Sequence, residues 1–413
     1  MLSVLLPVRS LLLTIFMMMA GSGFLATLLS VRLEQAGAGA PLIGLVGAAY
    51  FAGLTIGSLR VAPVIARVGH IRAFSAFLSV FSASMLAYGI YRHPLLWSAL
   101  RFVDGFMMAG MFICLESWLN DRAEEKNRGA ILASYMIALY AGQGLGQYLL
   151  NISSSKPSLP FMLAAILLSL ALVPIALTRM AQPQITALAH LPLRRLYRIS
   201  PLGVVGASMT GVILGAFYAL GAVYAGRLGM DLSSTALFMS LVILGGVVFQ
   251  WPLGWLSDRF DRRKVIVACF GAEACVCIAM VAFGNSMPHM MVLGVIFGGV
   301  SFVLYPLCVA HTNDRLNADE RIGASGGLVL AYSAGAVVGP LIASGMMQGV
   351  GAAGLFLFVG TCSALLTLFG VWRQLAAKPV PVEDQQAFQS LPRTTPMAGK
   401  LASGSGETAI EES

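Results

Sequence analysis

Gly254-Trp255-Leu256-Ser257-Asp258-Arg259-Phe260-Asp261-Arg262-Arg263-Lys264 separates two apolar runs, near 233–255 and 264–284. An acid closes the first run and a dense basic cluster opens the second. Each run is about 20 residues long, the length that carries a helix across ~30 Å of hydrocarbon. The break between them is too short for a domain, so the two runs are read as neighbouring helices in a membrane.

The same alternation fills the chain. Further apolar windows fall near 10–32, 41–60, 73–91, 95–118, 129–150, 159–178, 201–225, 288–310, 322–347 and 352–373. Of the 413 residues, 58% are hydrophobic and only 11% charged, against roughly a quarter charged in soluble domains. That balance sets aside soluble enzymes, nucleic-acid modules and secreted disulfide scaffolds. The net charge of +8 sits at span ends, where Lys and Arg report orientation rather than a nucleic-acid partner. The six cysteines lie inside apolar runs, and Cys275 and Cys277 have the spacing of neither a zinc site nor a disulfide framework. No metal, cofactor or enzymatic centre is expected.

With the N-terminus placed inside, Arg60, Arg67, Arg72, Arg122, Lys126, Arg128 and the Arg259–Lys264 cluster share one face with both termini. Only Arg32, Arg92, Lys156 and Arg227 face the other way. The bias predicts a multi-pass protein of a bacterial cytoplasmic (inner) membrane with both termini cytoplasmic. The expected organisation is a six-helix half (1–178), a basic linker (179–200), a second six-helix half (201–375) and a disordered, cytoplasmic Pro/Gly/Ser/Glu-rich tail (376–413).

The halves repeat. A shift of 193 residues superposes Gly105 on Gly298, Asn120-Asp121-Arg122 on Asn313-Asp314-Arg315, and Arg128 on Arg321. It also pairs Gly142 with Gly335 and Gly146 with Gly339. Duplicated helix sets are how secondary transporters build two bundles around a midplane site.

The Gly254–Lys264 loop resembles the G-x-L-x-D-R-x-x-R-R/K motif of the major facilitator superfamily, and Arg101-Phe102-Val103-Asp104-Gly105 resembles its R-x-x-x-G intramembrane motif. The equivalent first-half loop, Ala62–Arg72, is degenerate, with Ala66 where the acid belongs. Ala48–Gly53, Gly69–Arg72, Glu116–Asn120 and Asn127–Gly129 are similar to the YcaD-like branch of that superfamily. The resemblance implies an all-α membrane protein, with twelve transmembrane helices in two pseudo-symmetric six-helix bundles. It also implies that helices 1, 4, 7 and 10 line a central cavity, which makes Thr27, Tyr218 and Tyr305 cavity candidates. Gln143, on the fifth span, could offer an amide to a polar solute.

Arg101 and Asp104 share one third of the helix circumference, with Asp104 at −60° from Arg101 on a wheel. Charge inside a membrane is costly and is seldom idle. The pair is read as a proton-coupling ion pair, in which Arg101 competes for the carboxylate or holds an anionic group. Glu116, Asp258, Arg259, Arg262 and Arg263 are candidates for a latch at the cytoplasmic face. Tyr224 is read as an interfacial anchor, His311 as a solvated loop residue, and Glu273 has no assigned role.

The expected function is secondary active transport of a small organic solute by alternating access, coupled to protons, by a monomer in the lipid bilayer. An uncoupled facilitator is the nearest alternative and a membrane sensor a remote one. A sensor would need a signalling domain that a tail of about 38 residues cannot fold.

Overall fold

Twelve long helices dominate the computed structural model. It describes residues 6–90, 93–154, 156–178, 183, 191–284, 286–376, 378–395 and 397–399. Among these residues there is no strand, and the architecture is all-α. In the first half α1 spans Leu6–Gln35, α2 Ala40–Arg60, α3 His70–Ile90 and α4 Pro94–Arg122. The half is completed by α5 (Arg128–Gly146) and α6 (Leu159–Ala176). The second half holds α7 (Pro201–Arg227), α8 (Leu232–Arg259), α9 (Arg262–Phe283) and α10 (Met287–Asn313). It ends with α11 (Ala318–Val350) and α12 (Gly354–Ala376).

Eleven of these helices contain a stretch long and apolar enough to cross a bilayer. The exception is α5, whose last turn carries Gly142, Gln143, Gly144 and Gly146. Large apolar side chains such as Leu13, Ile56, Leu86, Ile166, Leu244, Ile278, Val292 and Leu368 stand exposed around the outside. A surface of that kind is stable only against lipid.

The two halves pack alike. α1 lies along α5 as α7 lies along α11; α2 meets α4 as α8 meets α10; α3 meets α6 as α9 meets α12. Glycines related by the 193-residue shift sit at equivalent crossings. A methyl group on Gly105 would fall on the Tyr50 carbonyl of α2, and one on Gly298 on the Val242 carbonyl of α8. Likewise Gly146 faces the Ala20 carbonyl and Gly339 the Val212 carbonyl. Without a hydrophobic force between helices in lipid, such backbone contact is a main source of association. Between the halves, α2 packs on α11, α5 on α8, and the second part of α1 on α7.

One expectation needs correcting. Part of the segment expected to be disordered has a defined course: residues 378–395 and 397–399 run back into the mouth between the halves, where Leu391, Met397 and Ala398 are buried. Polar composition argued for a solvated tail, but its hydroxyls and amides find partners in buried groups of the helices. Residues 400–413 lie outside the described residues, as does most of the linker's first half, 179–182 and 184–190. Within the described linker, Leu193–Ile199 forms a short helix that leads into α7.

Candidate functional site

A cavity of about 150 Å³ lies between the halves, lined by Tyr50, Arg101, Tyr140, Gln143, Tyr218 and Tyr332 among others. Arg101 projects into it from α4 and is only 5% exposed. Its guanidinium lies 4.1 Å from the centre of the Tyr50 ring. The ring quadrupole attracts a cation by roughly 0.5–2 kcal/mol, which is less than the cost of an isolated charge at this depth. Among the described residues, no carboxylate pairs with Arg101, and no acid lines the cavity. The site is positively charged and walled by tyrosines.

Asp104 is one turn further along α4 and does not line the cavity. It is fully buried, accepting a hydrogen bond from the Ser84 hydroxyl and one of 2.6 Å from the Tyr88 hydroxyl, both on α3. The expected Arg101–Asp104 ion pair is therefore absent. Both Asp104 oxygens are taken up by α3 hydroxyls rather than by the guanidinium. Tyr88 stacks on Phe161 and meets Trp97 edge-on. With Arg32 and Pro157 these rings line a second cavity.

The molecule has a basic end, carrying the tail and the loops before α3, α5, α9 and α11, and an opposite end. At the opposite end Arg227 of α7 grips Glu34 of α1 with two bonds of 2.7 and 3.2 Å, and donates to the Met347 carbonyl of α11 at 3.2 Å. This pair joins the two halves.

At the basic end Arg262 is the hub. Its side chain is 1% exposed. Nη1 reaches both oxygens of Asp314 at 2.7 Å, while Nη2 reaches Asp258 at 2.9 Å and the Gln386 carbonyl at 2.7 Å. Two other latch candidates are not part of this hub. Arg259 stacks over Trp255 at 4.0 Å, and Arg263 pairs with Asp261 at 2.9 Å. Asp261 caps α9 by accepting from the Arg263 backbone amide. Burial works to raise its carboxyl, yet the Arg263 bonds and the nearby Lys264 hold it below the ordinary carboxylate range.

The tail ties into this end. Phe388 donates its backbone amide to Asp258 at 2.8 Å, Gln386 its own to Asp314 at 2.9 Å, and the Ser390 hydroxyl bonds Gln250. Glu116, fully buried on α4, accepts from Tyr135 at 2.8 Å and from the Thr394 and Thr395 hydroxyls. Between these anchors Arg393 enters the cavity, donating to the Tyr140 hydroxyl at 3.2 Å and stacking over Phe302 at 4.5 Å.

Of the cavity candidates, Gln143 and Tyr218 line the cavity and Thr27 and Tyr305 do not. Thr27 donates to Gln147 at 2.9 Å, and Gln147 in turn bonds the Gly23 carbonyl, where α1 is interrupted. This bond fastens α5 to the break in α1. Tyr305 is buried against Tyr332. His311 is buried at the end of α10 rather than solvated. Glu273 is buried and accepts from Ser301 of α10 and Ser363 of α12. Tyr50, Tyr332, Glu34 and the tail were not singled out from sequence. Asp314 was visible only as half of a repeated Asn-Asp-Arg.

The sequence pattern of the Major Facilitator Superfamily matches residues 11–251 and 202–404. The chain belongs to this family. It is 28% identical over 380 residues to an uncharacterized MFS-type transporter, YcaD, of Salmonella enteritidis PT4, covering 91% of this chain and 98% of the relative. Its fold is similar to that of the nucleoside transporter NupG, with a TM-score of 0.76 at 11% identity over 90% of this chain and 99% of NupG. It is also similar to a bacterial homolog of the human lysosomal transporter Spinster in an inward-facing and occupied conformation. That match has a TM-score of 0.72 at 14% identity, over 92% of this chain and 97% of the homolog.

Proposed function

We propose that this transporter moves a small organic solute bearing an anionic group, by alternating access and with proton coupling. It would act as a monomer in a bacterial cytoplasmic membrane with both termini in the cytoplasm. The observation that carries the reading is Arg101: a cation inside the inter-bundle cavity, faced by tyrosines and, among the described residues, by no acid. A buried charge is tolerated when a partner completes it, and a solute carboxylate or similar group would do so. The Glu34–Arg227 closure at the opposite end supports a state whose path leads toward the basic, cytoplasmic end.

Proton coupling is assigned to Asp104. Its two hydroxyl partners suit either protonation state, since a hydroxyl can donate to a carboxylate or accept from a carboxylic acid. Tyr88 links it to the second cavity, which gives a proton a route that bypasses Arg101. An uncoupled facilitator, driven by the solute's own gradient, is the second reading, favoured by the full burial of Asp104.

The test uses purified protein in liposomes under an imposed pH gradient. Pools of organic acids, sugars, amino acids, nucleosides and lipophilic cations are added while internal pH is followed. The organic-acid pool is expected to drive protein-dependent proton flux that falls at least tenfold in Asp104→Asn. Solute uptake without proton flux would leave the facilitator, and full flux in Asp104→Asn would remove that residue from the mechanism.

A further inference from the structure

Two guanidinium groups enter one cavity that holds no carboxylate among the described residues: Arg101 from α4 and Arg393 from the tail. Arg393 is held by aromatic faces, Phe302 at 4.5 Å and Tyr332 at 5.8 Å, and by the Tyr140 hydroxyl. Its Nη1 is buried with no hydrogen-bond partner. Like charges repel more strongly as water is withdrawn, and a buried donor left unmade is unfavourable. Yet the tail is anchored on both sides of this point, by Thr394 and Thr395 on Glu116 and by Phe388 and Ser390 on α8. A firmly anchored segment thus brings a second buried guanidinium, one nitrogen of it unpartnered, to the cavity that Arg101 lines.

We propose that the cavity is a two-arginine anion site, in which the tail folds over a bound carboxylate-bearing solute and Arg393 supplies the second guanidinium. The inference rests on the reading of Arg101 as an anion-holding group and names the solute's class. Guanidinium forks match planar carboxylates and leave a residue of attraction for ring faces. The tyrosine walls suit a flat apolar body attached to that carboxylate. Because the tail bridges both halves, the solute leaves toward the basic end only when the threonine hydroxyls release Glu116.

The test uses the full-length protein in detergent, with binding read by isothermal titration and thermal shift. The probes are benzoate, phthalate and succinate, with benzamide and benzylamine as neutral and cationic controls. Benzoate or phthalate is expected to bind while both controls do not. Arg393→Ala is expected to weaken carboxylate binding at least tenfold. The double change Thr394→Ala with Thr395→Ala, which keeps both arginines but frees the tail, is expected to weaken it by a similar factor. Carboxylate binding as tight or tighter in Arg393→Ala would overturn the proposal and make the tail a plug that competes with solute. Arg101→Ala separates the two readings. If it loses binding while Arg393→Ala does not, only the tail's role fails. If Arg101→Ala binds normally, or no carboxylate binds the unaltered chain, the anion reading falls with it.

Discussion

The loops joining α2 to α3 and α8 to α9 hold equivalent places in the two halves and are built on different chemistry. In the second half, Arg262 is buried and clamps Asp314 and Asp258. Aligned on the motif, with Ala66 in the place of Asp258, His70 stands in the place of Arg262, and each opens the helix that follows its loop. Gly69 turns the chain at φ 86° and ψ 156°, a backbone region open essentially to glycine alone. Asp121, the repeat mate of Asp314, is left exposed, as is Arg67. Nearby, the buried Nε2 of His70 has no hydrogen-bond partner, and the imidazole packs on Trp118. One half thus secures its basic end with a buried ion cluster, the other with a glycine turn and packed rings. The tail fastens to the first through Gln386 and Phe388. A repeated Asn-Asp-Arg is therefore no guarantee of a repeated contact; the partner arginine decides.

The sharpest way to break this contrast is to remove that arginine. Arg262→Ala leaves Asp314 buried and unpaired, and is expected to cost about 3–5 kcal/mol of stability, read as a large fall in Tm in detergent. Arg67→Ala, an exposed position in the other loop, is expected to stay within about 0.5 kcal/mol. Equal effects would mean that the two loops are equivalent after all.

A smaller effect is expected at the cap of α9. Asp261→Ala should cost about 1 kcal/mol. Because the Asp261 carboxyl is held below its ordinary range in the fold, its contribution is full above about pH 4. It is lost as pH falls through the lower folded value. The variant should therefore show a shallower acid limb in a stability-versus-pH titration. An unchanged limb would show that the Arg263 pairing adds nothing.

Span positions, the two-half repeat and the Gly254–Lys264 loop were all legible in the sequence, because hydropathy and charge bias act locally along the chain. The site was legible only in part. Residue type and span number put Gln143 and Tyr218 in the cavity lining, where the structure has them, but misplaced Thr27 and Tyr305, whose side chains turn toward neighbouring helices. A helical wheel gives the angle between Arg101 and Asp104, not the identity of the helix each one meets. The tail's polar composition hid its role, since Thr394, Thr395 and Arg393 find partners more than 250 residues away in sequence. Glu34 and Arg227 each looked like an ordinary charge at a span end, and no short-range pattern joins them.

The central claim is that the halves rock, so that one end opens as the other closes. Spin labels test it directly, in a chain whose six cysteines are first replaced. One pair would stand at Lys126 and Lys264 on the basic end, the other at Lys156 and Met287 on the opposite end, all of them exposed. Between pH 8 and pH 5.5, with benzoate present, reciprocal changes are predicted: populations that shorten one distance lengthen the other. Distances that move together, or that stay unchanged under every condition, would contradict alternating access in this protein.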